Sequence, residues 1–148
     1  MKIKEEELFI KSIISYLKKC NIFNENASVN INYLGPKIDD YSLESVPTET
    51  ILKKDIEGRK EKQKVFVFAS RRTYSRDCIE NEKNYEFFEE LSEWIEEMND
   101  EECYPDISNI DEISEISSIE VVDSPYIAAV SELEARYQME IKITYIKE

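Results

Sequence analysis

Polar and apolar residues alternate without interruption between positions 135 and 145. Successive side chains of an extended strand point to opposite sides, so this pattern predicts one long strand with two different faces. The apolar face is expected to lie under a helix, and the polar face, with charges of both signs, to look outward. The apolar positions are Ala135, Tyr137, Met139, Ile141, Ile143 and Tyr145; the polar positions are Arg136, Gln138, Glu140, Lys142 and Thr144.

Two segments have the spacing of amphipathic helices. In residues 4–20, apolar residues recur at the intervals of one helix face, with glutamates in the first turn and lysines in the last. Residues 80–99 have a broad apolar stripe on an otherwise glutamate-rich segment. Each helix therefore needs a sheet to cover one face. The two stripes consist of Ile10, Ile13, Ile14 and Leu17, and of Phe87, Phe88, Leu91, Trp94, Ile95 and Met98.

The central part of the chain has several strand patterns. Residues 48–56 and 63–70 flank a charged linker, 57–62, that contains Gly58, which predicts a hairpin with a protruding tip. The strand at 63–70 is apolar on both faces, which is typical of a central strand covered on both sides. Shorter strands are predicted at 27–34 and at 41–46, the second ended by Pro47.

The segment before the final strand has a less regular pattern. Isoleucines recur at every third position between 107 and 119, a period between those of a helix and a strand. We expect a loop with room for a helical turn at 106–113, a strand at 116–122 and a corner at 123–132. Together these elements predict an α+β fold with a mainly antiparallel sheet of about five or six strands, flanked by two helices, in a single domain spanning 1–148.

The charge balance limits the partners of the protein. The 148 residues include 19 basic and 33 acidic ones, for a net charge of −14. Such a field argues against gripping nucleic acid or an anionic membrane surface, and it fits a soluble protein that repels DNA phosphate or attracts a basic partner. No stretch has the roughly 20 apolar residues of a membrane span, and the first 20 residues do not resemble a secretory signal.

The composition also limits the chemistry. The chain has no histidine and only two glycines, which excludes histidine-based catalysis, phosphate-cradling glycine loops and most zinc sites. Carboxylates are abundant, but the adjacent pairs at 89–90, 96–97 and 101–102 are expected to be solvated surface. The three cysteines show no metal-ligand spacing and are expected to be reduced thiols in a cytosolic setting. We predict no catalytic, cofactor-binding or metal site.

Four stretches resemble a family of small proteins encoded by phages and prophages of Gram-positive bacteria among their head–tail joining and tail genes. They are "YSLESVP" at 41–47, "FVFASR" at 66–71, "FFEELSEWIEE" at 87–97 and "ARYQMEIKITYIKE" at 135–148. The chain departs from the family pattern at 106–118, where an isoleucine–acid run replaces a segment richer in glycine and basic residues.

The resemblance implies a tail terminator, a protein whose subunits form a ring, typically a hexamer, that caps a tail tube. Such a ring stops polymerisation of tube and sheath and offers a docking surface to the head or collar. The implied partners are further copies of the chain, the tail tube, the sheath and a neck or collar protein, with DNA at most passing through the lumen. The implied location is the head-proximal end of a virion tail, or of a headless, contractile, bacteriocin-like particle assembled in the bacterial cytoplasm.

A ring needs two different contact surfaces on each subunit. Charged residues on protruding or open elements are the candidates for contacts with a neighbouring subunit or the tube: the hairpin tip, the basic cluster "RRTYSRD" at 71–77 and the polar face of the last strand. The residues are Arg59, Lys60, Arg71, Arg72, Tyr74, Arg76, Arg136, Glu140 and Lys142.

Other functions remain open from the sequence. Within the same structural class, the chain fits a head-side neck or adaptor protein, a minor capsid component. The glutamate-rich helix at 80–99 also fits an acidic binding module that mimics DNA and inhibits a nucleic-acid enzyme. An enzyme that uses carboxylates is the least favoured reading, because no histidine or glycine loop is present.

Overall fold

The computed structural model describes residues 3–23, 27–74, 78–131 and 133–148, with side chains described for all of these except residues 3–4, 47–50 and 78–80. The described chain contains two helices and six strands. The helices are α1 (Ile3–Leu17) and α2 (Cys78–Asp100); the strands are β1 (Val29–Ile31), β2 (Tyr41–Lys54), β3 (Lys60–Thr73), β4 (Ile113–Val121), β5 (Tyr126–Val130) and β6 (Glu134–Lys147).

All six strands form one sheet in the order β1-β2-β3-β6-β4, with β5 also paired to β6. The short β1 runs parallel to β2, and every other pairing is antiparallel. β3 and β6 pair along their whole length, from Lys60 opposite Lys147 to Thr73 opposite Glu134. β4 pairs with the second half of β6 and β5 with the first half, so these two short strands share one side of β6. The predicted α+β class and antiparallel sheet are confirmed.

Both helices pack on one face of the sheet through aromatic side chains. Phe9 of α1 lies 5.8 Å from Phe66 and 5.2 Å from Tyr145, measured between ring centroids. Phe88 of α2 is 5.9 Å from Phe68 in the same way. Edge-to-face and offset contacts of this kind add to the free energy of apolar burial.

The long final strand has the predicted two faces. Its six alternating apolar side chains, from Ala135 to Tyr145, are all between 0 and 1% exposed. Trp94 of α2 is half-buried and packs against Tyr16 of α1 at a centroid distance of 5.1 Å, so it joins the two helices. The predicted helices and the predicted hairpin are also present, and the hairpin turn is shorter than expected because β3 already begins at Lys60.

The two strands predicted on either side of Pro47 are in fact one strand, β2. The pairing with β3 shifts between Ser45 and Glu49, so three residues of β2, centred on Pro47, lie opposite Val65 alone. Proline has no N–H to donate to a ladder, and a bulge is where a strand tolerates that loss. The prediction that Pro47 ends the strand was wrong because the chain bulges there and then resumes pairing.

Three other expectations need correction. β3 is central, but only one of its faces is covered by helices in the described chain; Val65 and Val67 are half-buried on the other face. The predicted corner at 123–132 contains β5, a strand whose exposed residues gave no alternating pattern. The predicted strand at 27–34 is reduced to three residues and ends at Ile31, directly before Asn32, which has a positive φ of 54°. A left-handed residue of this kind terminates extended structure.

Candidate functional site

The candidate surface is the face of the sheet opposite the helices, which we call the open face. It presents the even-numbered residues of β6 and the odd-numbered residues of β3. The alternate residues, odd-numbered in β6 and even-numbered in β3, lie under the helices. A 14-residue strand extends about 45 Å, so the open face is long. Its centre is apolar and consists of Val65, Val67 and Ala69. The charged or polar residues around this centre are Ser42, Glu44, Gln63, Arg71, Arg136, Gln138, Glu140, Lys142 and Thr144.

A polar network crosses this face from β2 to β5. Arg136 Nη2 lies 2.6 Å from Glu44 Oε2, and the same oxygen accepts a hydrogen bond of 2.7 Å from Ser42 Oγ. Arg136 Nε donates to Gln138 Oε1 at 2.9 Å, and Gln138 Nε2 donates to the hydroxyl of Tyr126 at 2.6 Å. These hydrogen bonds fix the orientation of the side chains in the network, so this part of the open face has a defined shape.

Ala69 makes room for this network. Arg136 is opposite Arg71, and Glu44 is opposite Val67, so the ion pair crosses β3 diagonally over the position between them. That position is Ala69, which is 0% exposed although no helix covers its face in the described chain. A larger side chain at this point would block the Arg136–Glu44 contact.

Two predicted interface residues of β6, Glu140 and Lys142, also lie on the open face. Lys142 Nζ is 3.9 Å from Glu120 Oε2 of β4, a long and partly exposed ion pair. Burial and the neighbouring Asp123 carboxylate raise the pKa of Glu140 above its ordinary value. Glu140 and Asp123 are thus two carboxylates held close together where β4 ends. Such a pair is stabilised when it binds a proton or a basic group of another molecule.

The structure separates the two arginines of the basic cluster. Arg71 lies on the open face, donates from Nε to Gly35 O at 2.9 Å and pairs through Nη1 with Glu134 Oε1 at 3.2 Å. Arg72 points to the helix side, where its guanidinium stacks on Phe87 at 4.5 Å and pairs with Asp39 Oδ1 at 2.9 Å. Both belong to β3, which continues beyond the strand predicted at 63–70.

The remaining predicted residues are placed as follows. Arg59 ends the hairpin turn that begins at Asp55, and its Nε is 3.8 Å from Glu148 Oε1. Lys60 starts β3. Tyr74 is half-buried against the core, and Arg76 lies outside the described residues. The open face therefore brings together Arg71, Arg136, Glu140 and Lys142, whereas Arg59 and Lys60 lie at the hairpin end of the sheet and Arg72 lies on the helix side.

Sequence reasoning missed a group of buried charges at the start of α1. Lys64 of β3 is 5% exposed and its Nζ lies 2.7 Å from Glu6 Oε1, which also accepts a hydrogen bond from Ser45 Oγ. Burial alone raises the pKa of Glu6, but Lys64 and Ser45 outweigh it and lower the pKa below its ordinary value. Lysines at alternate positions of a charged strand gave no signal of this role, since the pattern 60–64 resembles ordinary solvated surface.

Three further features bear on chemistry: metal-ligating groups, concavities and thiols. The described residues include no group of three or more Cys, Asp or Glu side chains placed to hold a metal ion. Open grooves run along α1 and α2, and a further concavity lies at the hairpin end of the sheet between Lys53, Arg59 and Ile146. Cys20 is a buried free thiol whose pKa is raised by burial, and Cys103 is an exposed free thiol. None of the helices described is both long and apolar enough to cross a membrane.

The outward face of α2 is strongly acidic. Glu89, Glu93 and Glu96 are exposed, and none of the ion pairs found among the described residues involves them. The adjacent carboxylate pairs at 89–90, 96–97 and 101–102 are all exposed, in agreement with the expected solvated surface.

Comparison with known proteins adds no assignment: no protein-family model matches the chain, and no curated protein matches it significantly.

Proposed function

We propose that the protein is a structural subunit of a homohexameric ring of the tail-terminator type, which caps a tail tube and performs no chemistry. In this role it stops polymerisation of tube and sheath and presents a docking surface to a head or collar. It acts at the head-proximal end of a phage tail or of a headless, contractile, tail-like particle, after assembly in the bacterial cytoplasm. The resemblance of residues 41–47, 66–71, 87–97 and 135–148 to that family motivates the proposal.

The open face is the observation that carries the proposal. A sheet with helices on one side exposes its second side, and here that side has an apolar centre with fixed charges of both signs around it. Buried apolar centres with polar rims are the usual anatomy of protein–protein interfaces. Because the charges have both signs, the surface can match another copy of the chain or a repeating tube surface.

The net charge fits a ring through which DNA passes. A lumen with the overall negative balance of −14 repels phosphate, so that DNA does not adhere to the ring. The charge supports this role only together with the open face, since many acidic proteins have no contact with DNA.

The test is the mass of the purified protein in solution over a concentration series, alone and with isolated tail tubes. We expect a hexamer, or a ring visible by electron microscopy only at tube ends. The proposal would be refuted if the protein stayed monomeric at every concentration and did not bind the tubes. A ring that binds a head-side neck or portal component and ignores the tube would instead assign the chain to the head-side adaptors of the same structural class.

One observation favours a second candidate, an acidic module that mimics DNA. The exposed glutamates Glu89, Glu93 and Glu96 project from a regular helix and take part in none of the ion pairs found among the described residues, and such an array imitates a row of phosphates. A basic nucleic-acid enzyme is the partner that this surface would bind.

The triple variant Glu89→Gln, Glu93→Gln and Glu96→Gln separates the two candidates. The DNA-mimic function predicts salt-sensitive binding to a basic partner that the triple variant loses. The ring function predicts that the variant still assembles on tail tubes. If the variant leaves every measured interaction intact, the DNA-mimic candidate is eliminated.

A further inference from the structure

Apart from the outer edge of the three-residue β1, the sheet has two strand edges that pair with no other described strand and accept or donate no hydrogen bond found to a described side chain. One is the outer edge of β2 beyond Ser45, because β1 pairs only with residues 41–43. The other is the outer edge of β5, because β5 pairs only with β6. A free edge offers backbone N–H and C=O groups in a row and is a ready template for another strand.

Side chains cap backbone groups on β4 and on β2 at Ser45. Asn99 Oδ1 accepts a hydrogen bond of 3.0 Å from Ile119 N on the outer side of β4, and Tyr104 donates from its hydroxyl to Ser117 O at 2.9 Å. On the opposite side, Asn32 Oδ1 accepts from Ser45 N at 2.8 Å where β1 ends. Side chains that satisfy edge groups in this way prevent pairing. Among strand edges of five or more residues in the described chain, β2 beyond Ser45 and β5 are the two left without such a cap.

Both free edges also expose large apolar side chains. On β2, Ile51 and Leu52 are 54% and 49% exposed. On β5, Tyr126 and Val130 are 38% and 55% exposed. Burial of such residues against each other favours association by about 25 cal/mol for each Å² removed from water.

The two edges have opposite electrostatic surroundings. The free part of β2 ends in two exposed lysines, Lys53 and Lys54, in a chain whose net charge is −14. The groove beside the start of β5 is lined by Glu89, Glu93 and Asp123. A basic edge and an acidic edge attract each other, and two copies of the same edge repel.

We propose that subunits join head to tail, with the free edge of β2 in one copy paired to the free edge of β5 in the next. The β2 edge lies near the Lys147 end of β6 and the β5 edge near its Glu134 end, so the edges occupy opposite corners of the sheet. Different surfaces at opposite corners give a heterologous contact, which repeats until a rotation closes it into a ring. This inference rests on the proposed ring function and specifies its subunit contact.

A mixing experiment tests the pairing. The hairpin-edge variant contains Ile51→Asp and Leu52→Asp, and the β5-edge variant contains Ala128→Asp and Val130→Asp. Each variant retains one intact edge. By sedimentation velocity, each alone is expected to be monomeric, whereas an equal mixture forms a one-to-one dimer through the single remaining pair of intact edges.

The matched control contains Tyr33→Asp and Ile38→Asp, which are exposed apolar positions outside both edges. It is expected to form the ring of the unsubstituted chain. Thermal unfolding, monitored by circular dichroism, verifies that each variant is folded.

The outcomes separate the pairing from the ring function. If either edge variant alone assembles into the full ring, the edge pairing is wrong while the ring stands. If both variants are folded monomers and their mixture stays monomeric, the two edges do not bind each other. If the unsubstituted chain is monomeric at every concentration, both proposals fail.

A cross-linking measurement covers the case in which an Asp variant does not fold. Lys53→Cys and Ala128→Cys are placed in separate chains in which Cys20 and Cys78 are alanine and Cys103 is serine. Under mild oxidation, the mixture is expected to give a covalent dimer of one chain with the other. The pairing would be overturned if each cysteine variant, oxidised on its own, formed covalent dimers as readily as the mixture does. It would also be overturned if a mixture that still forms rings gave no covalent dimer.

Discussion

At the residue scale, the least expected feature is the buried charge of Lys64. Its ammonium group is held by Glu6 on the helix that covers the sheet, at 2.7 Å. Nearby, Lys147 Nζ lies 3.3 Å from both Glu5 and Glu112. Burial lowers the pKa of Lys147, but the two carboxylates outweigh it and leave the pKa above its ordinary value. These pairs fix the first turn of α1 on the hairpin end of the sheet.

Replacing Lys64 by alanine is expected to lower the free energy of unfolding by about 2 to 3 kcal/mol, less than for a fully buried pair because Glu6 is 28% exposed. The control is Lys11→Ala, whose exposed pair with Glu7 is expected to contribute about 0.3 to 0.5 kcal/mol. Urea unfolding measures both variants. Equal losses would show that the Lys64 pair has no special role.

The same pair predicts a dependence of stability on pH. The pKa of Glu6 is lowered in the folded protein, so below its ordinary value of 4.5 the unfolded chain binds more protons at this site than the folded chain does. The stabilisation by Glu6 is present at neutral pH and decreases as the pH falls through the folded-state pKa. The Glu6→Gln variant is expected to lose part of the acid sensitivity seen in urea unfolding at a series of pH values; an unchanged pH profile would contradict this reading.

Arg72 shows why arginine and lysine are not equivalent at a buried position. Its planar guanidinium stacks on Phe87, pairs with Asp39 and donates to Asn84 Oδ1 at 3.3 Å. Lysine retains the charge and loses the stacked plane, so Arg72→Lys is expected to cost about 1 kcal/mol. Chemical denaturation checks this value, and Lys83→Arg on the exposed side of α2 is the control that should change little.

At the scale of elements, the β4 edge is protected by side chains rather than by another strand. Asn99, near the end of α2, accepts the Ile119 N–H, so one helix both covers the sheet and blocks its edge. The loop between α2 and β4 adds the Tyr104 hydroxyl. The isoleucine–acid run at 106–118 therefore leads into a strand whose outer backbone groups at Ser117 and Ile119 find partners within the chain.

The Asn99→Ala variant removes one of these caps. It is expected to lose about 1 kcal/mol of unfolding free energy, because the Ile119 N–H loses its hydrogen-bond partner. Amide hydrogen exchange at Ile119 should become faster, whereas exchange at Ile143 within the sheet should not change. Unaltered exchange at Ile119 would mean that the side chain does not protect this edge.

At the scale of the whole molecule, charge and layering act together. The helices occupy one side of the sheet, and on the other side Arg71, Arg136 and Lys142 pair with carboxylates. The surplus of negative charge is concentrated on α2, which has nine acidic residues and one lysine. The molecule therefore has an acidic helical side and an open face of mixed sign.

This distribution predicts weak interaction with DNA. At physiological salt, the protein is expected to show no binding to a duplex in fluorescence anisotropy, because the described residues form no continuous basic surface to release counterions. Charge-conserving changes on the open face should leave this result unaltered. Measurable binding with a steep salt dependence would require a basic surface that the described residues do not show.

The sequence by itself determined the covered half of the molecule. The apolar positions of residues 135–145, the helix stripes of 4–20 and 80–99 and the hairpin around Gly58 predicted the elements and their buried faces. They did so because burial of a periodic apolar face is a local property, readable from spacing alone.

Only the tertiary structure decided how the strands meet and what lies beside each charge. The bulge at Pro47, the strand at 126–130, the burial of Lys64 and the separation of Arg71 from Arg72 all depend on partners distant in sequence. The sequence does not distinguish a charged residue on a solvated surface from one in a buried ion pair. Whether a strand edge is free or capped depends on residues that the fold brings next to it. The composition limited the functional classes, and the pairing of strands located the open face and the two free edges.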